Sequence, residues 1–344
     1  RSNILNKKFY IRKSHEVCRN KSMKLIAELC QNHNGDQDLL KKMIDEALEG
    51  GVSHVKLQTI YSDDLTFRPE FEKGLEKNGE ILCIKRPWDN EYKRLKKLEL
   101  SQNAYFNFVD TCKKRGAIPL TTCFSINRIE EIINQGFKEI KIASYDCASY
   151  TLIRSLIDKF EHIYVSTGAT FNEEINKTYK ILISNKTPFT FLHCVTIYPT
   201  PISQLHLSRL NFLKKLSNEI GFSDHTSPKE NGIIGSCAAI YFGARVIERH
   251  FTILNSNQTK DGPVSITKKE FKEINAFSKL SKLDQKLSLD EKCPEWSQVF
   301  VGEPNRNMSK AELLNRSYYR GRFASSRSNS DANVFTPRYN WEEA

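Results

Sequence analysis

Short apolar runs recur along the chain, each followed by a longer segment whose apolar residues come at helical spacing. The runs "LIAEL" (25–29), "HVKLQT" (54–59), "IPLTT" (118–122) and "EIKIAS" (139–144) come first. "HIYVST" (162–167), "FTFLHC" (189–194), "EIGFS" (219–223) and "ARVIER" (244–249) follow. Their continuous apolar character predicts strands buried on both faces, as in a parallel sheet. Helices are predicted over 36–51, 103–115, 127–135, 149–160, 171–184, 229–242 and 268–282. In the first, Asp36 is placed to cap the start, and Gly50 and Gly51 to stop the end. Strands alternating with helices over roughly 250 residues predict an α/β fold, a (β/α)8 TIM barrel with parallel inner strands. An open doubly wound sheet is the alternative, but no GxGxxG follows any strand.

Outside that alternation three stretches stand apart. Residues 1–22 are expected to be a basic leader beside the fold, since "MKLIAEL" at Met23 opens the first well-patterned strand. The connection from 60 to 102 is long and mixed in charge, with Pro69, Gly74, Gly79 and Pro87, and is expected to be a lid or rim insertion. The barrel is assigned to 23–283. Residues 284–344, with a Ser/Asn-rich stretch at 325–333, are expected to form an extended polar tail, too short for another core.

Composition narrows the class of protein. A hydrophobic content of 39% supports a sizeable core. No run of eighteen apolar residues occurs, so no membrane helix is expected. Nine cysteines, an odd number without a CxxC pair, point to reduced thiols in a cytoplasmic protein. The net charge of +11 is spread among acidic residues in helical segments such as "KKMIDEALE". That pattern reads as solvated faces, with a small anionic substrate as partner and no nucleic acid.

Barrel enzymes place their chemistry at the C-terminal ends of the strands. Those ends here read Glu28, Lys56 and Gln58, Thr122, Lys141 and Ser144 with Asp146, Ser166, His193, Ser223 with Asp224 and His225, and Glu248 with His250. Lys56 and Lys141, with hydroxyls from Thr122, Ser144 and Ser166, suit the phosphate and carboxylate of one small anion. The histidines suit a divalent metal that polarises a carbonyl. Glu28, Asp146 or Glu248 then serves as general base. A lone histidine after an apolar run is more often a bonded core residue than a ligand. Two on adjacent strand ends, His225 and His250, favour a ligand pair, whereas His193 reads as packing. Neutral imidazoles are needed for metal, so affinity is expected to fall below about 6.5 if the rings are unperturbed. Asp224 or Glu248 is expected to orient one of the rings.

Together these residues resemble the sialic acid synthase family, which condenses phosphoenolpyruvate with an N-acetylated aldose. "AELCQNHNGD", "VKLQ", "TCFS", "KIASYD", "VSTGAT", "LHCVTIYPTP", "GFSDHT" and "ERHFT" come in the family's order between about Met23 and Ile266. The resemblance implies phosphoenolpyruvate on Lys56, Gln58, Thr122, Lys141, Ser144, Ser166 and Ser223, and Mn²⁺ or Mg²⁺ on His225 and His250. It implies Glu28 near the attacked carbon, with Tyr198, Thr196 and Asp261 near an amino-sugar aldose such as N-acetylmannosamine or a deoxy diacetamido analogue. The product is then a nine-carbon 2-keto sugar acid, released with phosphate by C–O cleavage.

The sequence departs from the family at Thr196, where Asn is frequent, and at Asp146, where many members have Glu. The loop "KDGPVS" carries Asp261 in a changed order. "NRSYYRGRFAS" (315–325) resembles the linker before the family's C-terminal antifreeze-like domain, so 284–344 is expected to be truncated relative to the family. In the family that domain gives an arginine to a partner's sugar site, so a homodimer is a further expectation. Other readings stay open: a heptulosonate- or octulosonate-type condensation, a Schiff-base aldolase through Lys141, or a barrel that binds sugar acids without turnover.

Overall fold

The computed structural model describes residues 22–185, 187–327 and 337–342. The expected leader, apart from Ser22, and most of the Ser/Asn-rich stretch lie outside the described residues. Among the described residues are twelve strands, of which the first ten in chain order are β1 Lys24–Cys30, β2 His54–Thr59, a hairpin of β3 Leu75–Lys77 and β4 Glu80–Cys83, β5 Ile118–Cys123, β6 Glu139–Ile142, β7 His162–Ser166, β8 Phe189–Cys194, β9 Ile220–Asp224 and β10 Val246–His250. Eight of them close into a barrel in the order β1-β10-β9-β8-β7-β6-β5-β2. Every pairing between these eight is parallel. The (β/α)8 TIM barrel is therefore the fold.

The strand period of two decides what fills the barrel. Ile26, Leu120, Tyr164, Leu192 and Val246 form one buried apolar cluster across its interior. Two residues on, the same strands present Glu28, Thr122, Ser166, Cys194 and Glu248, all buried. The intervening residues, among them Leu25, Ala27, Ile140, Val165 and Ile247, belong to the main core around the strands. An apolar plug thus lies beneath a polar layer that opens at the C-terminal mouth.

Helix Gln37–Glu49 starts where expected, the Asp36 carboxylate accepting from Asp38 N at 2.8 Å and Leu39 N at 3.0 Å. The helix expected over 229–242 is instead two, Pro228–Asn231 and Ile234–Tyr241. Gly232 between them sits at φ 54°, a left-handed conformation that interrupts the helix.

The stretch expected as an extended tail differs most. It holds helices Trp296–Val299 and Lys310–Tyr319, and helix Lys282–Lys292 runs across residue 283. Local capping explains the second of these. Ser309 and Glu312 form a capping box, and Arg306 holds both Glu312 oxygens at 2.6 Å. Long-range ties then lay this strap against the barrel loops. Arg316 forks onto Glu174 at 2.6 and 2.9 Å, and Asn315 Nδ2 donates to the Thr196 carbonyl at 2.8 Å. Arg68, from the 60–102 insertion, donates to the carbonyls of Ser317 and Arg320 at 3.2 and 3.1 Å.

Candidate active site

The polar layer assembles from neighbouring strands. Lys56 Nζ donates to Thr122 Oγ1 at 3.0 Å and contacts the Glu28 carboxylate. Lys141 Nζ donates to Ser166 Oγ at 2.7 Å. Glu248 lies between the two lysines, 3.7 Å from Lys141 and 3.9 Å from Lys56, and accepts from Ser223 Oγ at 2.7 Å. Its Oε2 has no hydrogen-bond partner among the described residues. Burial alone would raise the Glu248 carboxyl, but Lys141, Lys56 and Ser223 outweigh it and hold it down at about 2. Burial also pulls the Lys56 ammonium down to about 7, Glu248 opposing and Lys141 adding to the shift. Two lysines, two carboxylates and three hydroxyls thus share one buried layer.

Beside this cradle lies a cluster of metal-ligating groups. Cys30, His250 and Asp261 bring their donor atoms within 4.8 Å of one another. The His225 ring lies 5.3 Å from that of His250, centroid to centroid. His225 therefore borders the three-residue group. Cys30 is not among the residues that the sequence pattern singles out, although it follows Glu28 by two positions at a strand end. The pairing of β1 with β2 shifts register between Glu28 and Cys30, and Cys30 adopts φ 41°. This left-handed backbone is unusual for a residue with a side chain. It is held by Cys30 N donating to Glu28 Oε1 at 2.6 Å, and it leaves Sγ 3.5 Å from His250 Nδ1.

These residues fit a divalent cation by their donor chemistry: thiol sulfur, imidazole nitrogen and carboxylate oxygen converge, Cys30 and His250 buried and Asp261 half-buried. Burial and the neighbouring His250 hold His225 down at about 3, and burial lowers His250 as well. Both shifts favour the neutral imidazole that ligation requires.

Asp224 does not orient either ring. Its Oδ2 pairs with Arg249 Nη1 at 2.6 Å and accepts from Ser236 Oγ at 2.6 Å, while Oδ1 accepts from Thr226 N at 2.9 Å. The register of β9 with β10 places Asp224 opposite Arg249, so the ion pair forms inside the wall. It fixes the loop that carries His225 without touching the metal group.

The remaining expected residues spread over the mouth. Gln58 is the half-buried residue of β2, in register with Thr122 of β5. Ser144 Oγ stands 2.9 Å from where a Gly168 side chain would begin, so the "STGAT" loop packs closely on it. Asp146 accepts from Ser149 at 2.7 Å and Asn340 at 3.1 Å, and burial raises it to about 6. Thr196 is buried, its carbonyl taken by Asn315. Tyr198 rests its ring 4.1 Å from that of His225 yet is 45% exposed, which marks an open mouth above buried histidines. His193 donates through Nε2 to the Leu205 carbonyl at 2.6 Å and stacks on Phe222, a packing role.

Residues 43–287 match the sequence profile of the NeuB family. A pseudaminic acid synthase from Campylobacter jejuni is 30% identical over 305 residues, covering 86% of this chain and 85% of that protein. An N,N'-diacetyllegionaminic acid synthase from the same species is 30% identical over 254 residues, 73% of each. Among solved structures, an N-acetylneuraminic acid synthetase from Leptospira borgpetersenii superposes with a TM-score of 0.64 over 87% of this chain and 91% of that one, at 24% identity. That likeness speaks for the fold.

Proposed function

Because the chain belongs to the NeuB family of sialic-acid-type synthases, we propose that it condenses phosphoenolpyruvate with an N-acetylated aldose. N-acetylmannosamine or a deoxy diacetamido analogue is the acceptor class, and the product is a nine-carbon 2-keto sugar acid. The observation that carries this reading is the pair Lys56 and Lys141 converging on Glu248, with Thr122 and Ser166, next to Cys30, His250 and Asp261.

Lys56 and Lys141 supply charge for the phosphate and carboxylate of phosphoenolpyruvate, and the Thr122, Ser144, Ser166 and Ser223 hydroxyls orient it, with Gln58 at the rim. The arriving anion replaces the carboxylates as the lysines' partner. Glu28 and Glu248 are then placed to take or return a proton. C3 of phosphoenolpyruvate forms a bond to the aldehyde carbon, and the aldehyde oxygen gains a proton. Water adds at C2, and the bond from C2 to the phosphate oxygen breaks, so phosphate leaves with that oxygen. Cys30, His250 and Asp261, with His225 beside them, would hold a divalent metal, which when bound polarises the aldehyde carbonyl. Mn²⁺ or Mg²⁺ is the metal proposed there. The barrel over 23–283 carries this chemistry, with helix Lys310–Tyr319 of the extension tied to the barrel through Thr196 and Glu174.

Incubation with Mn²⁺, phosphoenolpyruvate and each aldose, followed by phosphate release, tests the reading. Release that requires both substrates is the expected result. A covalent pyruvate adduct on Lys141 after borohydride would instead establish the Schiff-base chemistry.

A further inference from the structure

Tyr198 lies over His225 and is open to solvent, so an acceptor with its aldehyde at the metal group must extend outward past that ring. Tyr319 of the strap lies close enough to Tyr198 to act on it electrostatically. Tyr319 stacks on Tyr145 at 4.9 Å and 19° between planes, and Tyr145 lies in the turn between Ser144 and Asp146. Arg86, from the 60–102 insertion, donates through Nη1 to Tyr319 Oη at 2.9 Å. The phenol oxygen is thus used as an acceptor, and its own O–H remains free to donate. Arg322 places its guanidinium 5.6 Å from the Tyr319 ring centre. Burial would raise the Tyr319 phenol, but Lys260, Arg322 and Arg86 outweigh it and hold it below the usual tyrosine range. The only carboxylate here that pairs with these cations among the described residues is Glu91, and it is shared by Arg94 and Arg322. Among the described residues neither Arg86 nor Lys260 pairs with a carboxylate, which leaves their remaining donors for another acceptor.

Resting on the synthase reading, we infer that the strap of this same chain completes the acceptor subsite, with Tyr319 and Arg86 donating hydrogen bonds to oxygen atoms on the distal carbons of the aldose. The set consists of donors, so it recognises hydroxyl and acyl oxygens. The stack on Tyr145 and the bond from Arg86 fix the phenol before substrate arrives, which spares the ordering cost on binding. Asn315, through the Thr196 carbonyl, and Arg316, through the Ala169 carbonyl, anchor the strap to the loops after β8 and β7 and so hold Tyr319 in place from within one chain.

Tyr319→Phe keeps the ring stack and removes the donor; Arg86→Met removes the second donor without touching the barrel. Aldose binding is measured by calorimetry in the presence of phosphoenolpyruvate and Mn²⁺, and turnover with a six-carbon N-acetylated aldose and with a shorter N-acetylated aldose lacking the distal carbons. Each variant is expected to weaken the six-carbon aldose about tenfold or more, leaving the shorter aldose and phosphoenolpyruvate affinity unchanged. Equal losses for both aldoses, or no loss for either, would overturn the assignment. If no aldose is turned over but Tyr319→Phe still weakens aldose binding, the synthase reading falls and the subsite stands. If both variants turn over the six-carbon aldose as the parent does, the subsite falls and the synthase reading stands.

Discussion

Lys56 sits fully enclosed between Glu28, Thr122 and Glu248, and its ammonium is pulled down to about 7. Phosphoenolpyruvate needs that ammonium charged. Its affinity should therefore fall as pH rises from 7.5 to 8.5, by up to about tenfold per unit for one coupled proton. That window lies above the second ionisation of a phosphate ester, near ~6. Calorimetry in buffers of different ionisation enthalpy should also show proton uptake on binding. An affinity that stays flat or rises over this range would remove Lys56 from the anion site. At Cys30 the prediction is spectroscopic: Co²⁺ added to the protein should give a thiolate-to-metal charge-transfer band that Cys30→Ser abolishes while the fold persists. The same band in both proteins would exclude the thiol as a ligand. The sequence showed His225 and His250 because each closes an apolar run beside a carboxylate. It hid Cys30, because a cysteine ending an apolar strand looks like a small hydrophobe, and φ 41° leaves no mark in the pattern.

At the scale of elements, strand period explains why the cradle was legible and its supports were not. Glu28, Thr122, Ser166 and Glu248 each stand two residues beyond a plugged apolar position, so alternation alone aims them at one mouth. The partner of Asp224 depends on how β9 registers against β10, which no single strand records. Arg249→Ala would leave Asp224 charged and unpaired in the wall, and should cost about 3–5 kcal/mol in unfolding free energy. Denaturant titration checks this, and a loss under ~1 kcal/mol, the range of surface pairs, would show that the pair is not structural. Gly168 lies where a side chain would meet Thr196 Cγ2 at 2.8 Å, Ser144 Oγ at 2.9 Å and the Cys194 carbonyl at 3.0 Å. Gly168→Ala should destabilise by about 1–3 kcal/mol through overpacking and raise the KM for phosphoenolpyruvate by moving Ser144. Unchanged KM in the folded variant would mean that Ser144 does not hold the anion.

For the whole molecule, the division of labour is between a barrel readable from its apolar runs and a strap that those runs do not announce. Helix Lys310–Tyr319 buries only Glu312 and Tyr318 of its ten residues, so it carries almost no apolar stripe to read. Its place is set by the ion pair of Arg316 with Glu174 and by the Arg68 bonds to its carbonyls, contacts between residues far apart in sequence. The central claim is that the mouth so enclosed joins C3 of phosphoenolpyruvate to an aldose and expels phosphate from C2. Phosphoenolpyruvate carrying ¹⁸O in the bridge between C2 and phosphorus tests it most directly, with the products resolved by mass spectrometry. The account predicts a nine-carbon 2-keto sugar acid and phosphate that retains the heavy oxygen. Heavy oxygen left at C2 of the acid, or label-bearing phosphate formed with no new carbon–carbon bond, would contradict it.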